Sequence, residues 1–516
     1  MAETAVSRRG VLAAAAAAGG LAVASSATPA AAASSNAAAS HRRRGAALRL
    51  HLLKRATFGP TPASLHDIDK RGFQHWLERQ LDPASIHDPE GDAVRRLYPE
   101  LRWSIPQARA NIEQFSWDLM FTLGQATLAQ AAWSRRQLFE VMCDFWANHL
   151  NVTNPSDNVW DNRHHYERYV IRAHALGKFS DMLVASAKHP AMLQYLNNAD
   201  STKDAPNENY GRELLELHTV GISAGYTEAM MVDSARMMTG FTVGEDGNYV
   251  YEPSIHWTGK LRILDFSNAN TSPNGEALAV RYLHHLAMHP STAHQIAQKL
   301  AIRFVADEPP KALVRRLAHV YLANGTAIKP VLRALFASAE FAAAPEKVRR
   351  PYEDLLATMR VLGVGLHRGS DTTAARSGLE SLYWMVQSAG QAPGAWDLPN
   401  GYPDVATAWQ SAAGALSRWN FHQSLAAGWW PDKSHVHVAD CRSFLPHKLP
   451  ATYGGLIDHL SERLLFRRLP HAHRTAALRF CEAHASTPLS SSSEWVSWRL
   501  PYLCALILDS PAHLVR

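Results

Sequence analysis

The spacing of apolar residues constrains this chain most, because they recur at three-to-five-residue steps over most of the sequence after residue 48. Leu138, Met142 and Phe145 belong to one such series. This spacing is typical of one face of an α-helix. Alternation of apolar and polar residues is clear enough to predict a strand only at 248–251 and 436–438. We therefore predict a mainly α fold, a large multi-helix globular domain.

The segment around 239–272 interrupts this pattern. It is rich in Gly, Asn, Asp and Thr and has little period. We predict a long irregular loop or a short hairpin there, and long ordered loops often carry function.

Composition excludes several classes of protein. With 47% hydrophobic and 19% charged residues among 516, the chain is globular rather than disordered. Its body lacks the roughly 18 consecutive apolar residues of a membrane span, so we expect no integral membrane segment in the mature chain. The net charge of +6 is spread along the sequence, which argues against a nucleic-acid partner. The four cysteines have no CxxC spacing, which leaves open one bridge between Cys481 and Cys504.

The N-terminus has the pattern of an export signal. Arg8 and Arg9 precede a weakly apolar, alanine-rich run that ends in small residues. We predict a twin-arginine signal peptide over 1–33 and a flexible lead-in over 34–47, with an ordinary secretory signal as the alternative. The mature protein would then be extracellular or in the cell envelope. Twin-arginine export carries folded proteins, often with a cofactor inserted, which favours a bound metal without identifying it.

Two polar segments stand out on predicted helices. Asn148 and His149 end the first, where they could line a site or bond the free carbonyls of the helix end. The second runs from Asn207 to Thr219, with Asn207 as the N-cap.

In this second segment, Asn209, Glu213 and Glu216 form a polar stripe at helical spacing. Arg212 competes for Glu216 as an intrahelical ion pair. His218 lies about 200° round the helix from Glu216, on the apolar side, so the two cannot share a metal on one regular helix. The alternative is a solvated, salt-bridged helix with a core histidine.

Three further features are weaker. His285 and His289 are four residues apart, a permissible metal-ligand spacing, although His289 could instead end its helix. Ser291 and Thr292 are placed to cap the next helix, and His256 lies alone in the 239–272 segment. Trp396, beside Tyr402 in sequence, could stack on a sugar, although most tryptophans are core residues.

Seven segments, read in order, resemble the bacterial family of unknown function DUF1800. They are Leu53 to Thr61, Phe145 to His149, Ile171 to Phe179, His189 to Leu193, Asn207 to Thr219, His289 to Ala293 and Gly401 to Asp404. We therefore expect a DUF1800-like helical domain over 48–514, with a sub-division near 345.

The resemblance implies a large, mainly helical, usually exported protein, often encoded beside another exported protein that would be a partner. No activity is established for the family as a whole. Two positions depart from its pattern. Trp257 stands where the family tends to have Asp, which weakens His256 as part of a polar pair, and His294 stands where it tends to have Arg.

Together these features predict one polar site between helices. The catalytic candidates, as general acid/base or as charge for a divalent cation, are Arg212, Glu213, Glu216 and His218. The binding candidates are Asn148, Asn207, Asn209, Trp396 and Tyr402. The metal-ligand candidates are His149, His256 and His289. Hydrolysis of an envelope or extracellular polymer would fit this site, and the rival is a non-enzymatic envelope scaffold or partner-binding protein.

Overall fold

The computed structural model describes residues 45–366, 371–432 and 434–516. The predicted signal peptide, and the lead-in up to residue 44, lie outside these residues, and 45–47 are helical. Met1–Ala47 and Leu48–Arg516 are separate units. Segments on both sides of residue 345 belong to the second unit, which contains every feature described below.

Helices make up most of this unit, which confirms the mainly α prediction. The α-helices are α1 (48–56), α2 (Pro62–Arg71), α3 (Phe73–Leu81), α4 (Pro89–Leu97), α5 (Ile105–Asn111), α6 (Asp118–Trp133), α7 (Gln137–His149), α8 (Arg163–Tyr166), α9 (Phe179–Ala187), α10 (Pro190–Tyr195), α11 (Glu208–Glu213), α12 (Glu228–Met238), α13 (Glu276–Met288), α14 (Pro290–Phe304), α15 (Lys311–Ala323), α16 (Ile328–Phe336), α17 (Ala339–Ala342), α18 (Pro351–Leu362), α19 (Thr372–Ser388), α20 (Ala412–Ala427), α21 (Tyr453–Leu465), α22 (His471–Phe480) and α23 (Leu500–Leu508). Two π-helical turns follow α8 and α11, at Glu167–Arg172 and Leu214–His218.

Strands occur as three short antiparallel pairs. They are β1 (Phe241–Val243) with β2 (Tyr249–Tyr251), β3 (Leu261–Ile263) with β4 (Phe266–Asn268), and β5 (Gly365–Leu366) with β6 (Val436–His437). The 239–272 segment is thus two short hairpins, and both strand-like stretches of the sequence form strands. No helix in the described residues is long and apolar enough to cross a bilayer.

The sequence predicted two N-caps, of which the structure has one. Asn207 caps α11 as predicted, because its side chain accepts from the Asn209 amide. The predicted cap of α14 by Ser291 and Thr292 is wrong. That helix begins at Pro290, and His289 is its N-cap, with Nδ1 accepting from the Ser291 amide at 3.1 Å. Proline at the first helical position moves the start three residues upstream.

Helices α11 and α12 pack closely at Gly211. A Cβ there would lie 2.6 Å from the Ala235 amide nitrogen. We expect Gly211→Ala to destabilise the protein, because such overpacking costs about 1–3 kcal/mol, more than the roughly 1 kcal/mol that alanine gains over glycine in a helix. Urea unfolding measures the change. Gly365→Ala is the control, since nothing lies within 4 Å of its added Cβ, and an equal effect of the two substitutions would contradict the explanation.

Candidate functional site

His149, at the end of α7, is held in one tautomer by two contacts. Its Nε2 lies 3.1 Å from the His218 carbonyl oxygen, and its Nδ1 lies 2.9 Å from Nζ of Lys299. A carbonyl only accepts, so Nε2 carries the hydrogen and Nδ1 accepts from the lysine. Burial, and next the charge of Lys299, keep the pKa of His149 well below its usual range. His149 is therefore a neutral imidazole, bonded to a distant carbonyl rather than to its own helix end.

Lys299 reaches His149 from α14. Its side chain is half-buried, and burial lowers the pKa of this amine to about 8. Among the described residues, no carboxylate oxygen lies within ion-pair distance of its nitrogen. A lysine in such surroundings has a larger fraction of neutral amine near neutral pH than an exposed lysine.

The π-helical turn Leu214–His218 brings the third group to this contact. The turn directs two carbonyls to other elements, since Leu217 accepts from Gln295 and His218 accepts from His149. His218 itself is buried, and its Nε2 has no hydrogen-bond partner. Turns of this type are frequent at functional sites. The regular α-helix assumed from the sequence is thus replaced by a wider turn.

Asn148 fixes a loop on the other side of His149. Its Nδ2 donates to the Tyr402 carbonyl at 2.8 Å, and its Oδ1 accepts from the Tyr402 amide at 2.6 Å. The neighbouring Gly401 has φ +70°, and a Cβ there would lie 2.1 Å from the Asn148 carbonyl oxygen. This close approach requires glycine. Trp396 packs on Tyr402 in the same loop, with ring centroids 5.1 Å apart.

These groups line one cleft of about 420 Å³. Its lining includes Asn148, His149, Trp396 and Tyr402 from the predicted site, together with Lys299. The cleft therefore joins α7, α14 and the loop that carries Trp396 and Tyr402. Tyr402 is buried and its hydroxyl donates to the Ala392 carbonyl, so Trp396 is the more accessible ring.

Paired charges form the floor of the cleft. Arg303 pairs with Glu353, Arg350 lies 2.6 Å from Asp144, and Asp404 lies 3.2 Å from Lys347. Burial alone would raise the pKa of Asp404, but Arg350 and Arg303 outweigh it and lower that pKa. The carboxylates of Glu353 and Asp404 are thus ionised and matched by cations, as buried charges must be.

The polar stripe of α11 does not line this cleft. Asn207 donates to the Asn197 carbonyl, Asn209 donates to Leu196, and Arg212 lies 3.1 Å from Glu228 and 3.9 Å from Glu216. The expected Arg212–Glu216 pair exists, but Glu228 is the nearer partner.

The two stripe carboxylates, Glu213 and Glu216, are half-buried. Burial, and next the charge of Glu216, raise the pKa of Glu213. His218 links this segment to the cleft, because its carbonyl oxygen accepts from His149.

The three candidate metal ligands are not brought together. His256 contacts the Thr239 carbonyl and the Asn270 side chain, while His289 lies 3.9 Å from the exposed Asp265, which His285 also contacts. Within the described residues, the group of side chains close enough to share an ion includes none of the three. His149, His256 and His289 therefore lie in three separate environments, which depend on chain packing that sequence spacing does not encode.

Residues 51–515 match the family described as "Protein of unknown function (DUF1800)". This chain belongs to the DUF1800 family. No curated protein and no solved structure matches it. The match covers all the elements that build the cleft, so the cleft lies within the DUF1800 domain.

Sequence reasoning missed Lys299, the charged group nearest to His149 in this DUF1800 protein. Lys299 lies on α14 between the buried Ile296 and Arg303, and a lysine next to a buried helix face was the only local signal. Its partner is 150 positions away in the sequence. The two residues that depart from the family pattern, Trp257 and His294, do not line the cleft. Trp257 packs under the guanidinium of Arg236, and His294 is exposed.

We expect His218→Leu to make folding less sensitive to acid. Burial lowers the pKa of His218 from 6.5 to about 3. Between pH 3 and pH 6.5, the unfolded chain therefore binds a proton at His218 that the folded chain does not bind. The contribution of His218 to the free energy of unfolding is fully present above pH 6.5. It falls by up to about 1.4 kcal/mol per pH unit as the pH drops toward 3.

Denaturant unfolding at pH 7 and pH 4.5 measures this difference. His294→Ala, which removes an exposed imidazole, is the control. The same loss of stability between the two pH values in wild type and His218→Leu would contradict the prediction.

Proposed function

We propose that this DUF1800 protein is an exported bacterial hydrolase of an envelope or extracellular polymer, with Lys299 as the proton-transfer group. One observation carries the proposal. Lys299 is a half-buried amine in the wall of a cleft, it is hydrogen-bonded to a neutral histidine, and burial lowers its pKa to about 8.

The proposed chemistry follows from the tautomer of His149. Neutral Lys299 takes a proton from a water molecule as that water attacks an electrophilic carbon of the polymer. The resulting ammonium donates to Nδ1 of His149, which is fixed as an acceptor, and then returns the proton to the leaving group. A base is most effective when its pKa lies near the working pH.

The polymer and its location rest on other features. The N-terminal arginine pair and alanine-rich run support export. The open cleft and the half-buried Trp396 ring on its wall suit a sugar-containing chain, because indole rings stack on apolar sugar faces.

Chemical labelling can measure the pKa of Lys299 without a known substrate. Competitive acetylation from pH 6 to 10, read by mass spectrometry, is expected to give a Lys299 midpoint near 8, with the exposed Lys311 as the internal reference. His149→Leu should change this midpoint, since it removes the hydrogen-bond partner. A midpoint for Lys299 in the ordinary range near 10.4 would remove it as a base at neutral pH.

Activity is tested with the same residue. On a panel of cell-wall and extracellular polymers, we expect Lys299→Met to lower turnover about 10²–10⁴-fold, the usual contribution of general acid–base catalysis. His294→Ala should leave turnover unchanged. Full activity in Lys299→Met would disprove the role of this residue.

Export is tested separately. Replacement of Arg8 and Arg9 by lysine is expected to retain the protein inside the cell, because the twin-arginine pathway requires the pair. Immunoblots of cell and external fractions measure it. Unchanged export would favour an ordinary secretory signal.

A non-enzymatic scaffold is the second candidate, and the α11 stripe favours it. Asn207, Asn209 and Arg212 bond to neighbouring elements at the surface, so their polarity is used within the fold. If no polymer on the panel is cleaved and the acetylation midpoint of Lys299 lies in the ordinary range near 10.4, the scaffold replaces the hydrolase as the proposed function.

A further inference from the structure

A second cluster lies apart from the cleft and joins three distant segments. Asp354 is on α18, His422 is on α20, and His513 lies beyond α23. All three side chains are at least 97% buried. Their ligand atoms lie within 4.8 Å of one another.

The contacts within this cluster are long for hydrogen bonds. Asp354 Oδ2 lies 3.3 Å from Nε2 of His422, and Oδ1 lies 3.3 Å from Nε2 of His513. Neither oxygen of Asp354 has a hydrogen-bond partner, and neither has Nε2 of His422. In a tetrahedral zinc site with bonds of about 2.0–2.1 Å, neighbouring ligand atoms are about 3.3 Å apart.

Asp509 orients the His422 ring. Its Oδ1 lies 2.8 Å from Nδ1 of His422, which donates to it. The other ring nitrogen then faces the Asp354 carboxylate, and either a proton or a metal ion lies between the two groups. A carboxylate that holds the far nitrogen of a histidine is the usual support of a metal ligand.

From this arrangement we propose that Asp354, His422 and His513 bind one divalent transition metal of the zinc type. Two imidazoles and one carboxylate favour Zn²⁺ over Mg²⁺ or Ca²⁺, which prefer oxygen ligands. Because the cluster is fully buried, the metal has a structural role and ties α18, α20 and the C-terminal segment together. This role is independent of the proposed hydrolysis in the cleft.

Further positive charges near the cluster are carried by Lys54 and two arginines. Arg418 Nε lies 4.0 Å from Asp354, and Arg349 Nη1 lies 3.2 Å from Nδ1 of His513. They oppose a dication, whereas Asp354 and Asp509 favour one. The metal displaces the proton that His422 otherwise holds between these carboxylates, so binding adds one charge rather than two.

His513 also changes its hydrogen position when it binds the metal. Ligation through Nε2, which now lies 2.9 Å from the Thr358 hydroxyl, places the ring hydrogen on Nδ1. A hydrogen on Nδ1 excludes the present 3.2 Å contact between that nitrogen and Nη1 of Arg349, so Arg349 turns away from the ring and keeps its bond to the His513 carbonyl.

Metal analysis of the untagged, full-length protein tests the proposal. After incubation with Zn²⁺ and dialysis, we expect about one equivalent in wild type and at least a tenfold lower content in Asp354→Asn and His422→Ala. The His285→Ala/His289→Ala double variant is the matched control, because it removes two histidines beside the exposed Asp265 and should retain the metal.

Two results with zinc would overturn the proposal: wild type without stoichiometric zinc, which leaves only a proton between His422 and Asp354, or zinc retained in His422→Ala. Loss of a buried side chain can prevent folding, so wild type is also loaded with Co²⁺. Visible d–d bands of nitrogen-ligated cobalt support the site, and their absence in folded protein overturns it.

Discussion

Pairing of buried charge is the constraint on which the cleft depends. Glu353 on α18 contacts Arg303 on α14 and lies 3.3 Å from the C-terminal Arg516, whose guanidinium is 3.5 Å from Asp404 in the loop. Each charge is buried or nearly so, and removing one member of such a network typically costs about 3–5 kcal/mol because its partner is left unpaired. The loop that carries Trp396 and Tyr402 can therefore approach His149 only when α14, α18 and the C-terminus are in place.

Two chemically different centres result from this packing. The cleft holds a lysine with a lowered pKa and a neutral histidine, and it is open to a ligand. The cluster of Asp354, His422 and His513 is closed and lies deep between helices. Both contain a histidine whose tautomer is set by a partner on a distant element, a carbonyl for His149 and a carboxylate for His422. The first arrangement suits proton transfer and the second suits cation binding.

The sequence located part of the cleft because the residues there have local signals. Asn148 and His149 end a strongly periodic helix, and Trp396 and Tyr402 lie in a segment rich in proline, glycine and tryptophan. The α11 stripe was equally prominent, yet its polar groups serve the fold around it. Lys299, Asp354, His422 and His513 gave no comparable signal, since the residues that each of them contacts lie on distant elements. Isolated polar residues in such positions become informative only when their neighbours are known.

By itself, the sequence determined the helical character of this protein, the cap of α11, the interruption of the helical pattern around 239–272 and the membership of its family, because each depends on residues near one another in the chain or on their order along it. Tertiary structure alone decided which polar side chains meet. The His149–Lys299 contact spans 150 positions, and the Asn148–Tyr402 pair spans 254. Such contacts arise from the packing of many apolar faces and from the need to match every buried charge, and neither has a signature in local spacing.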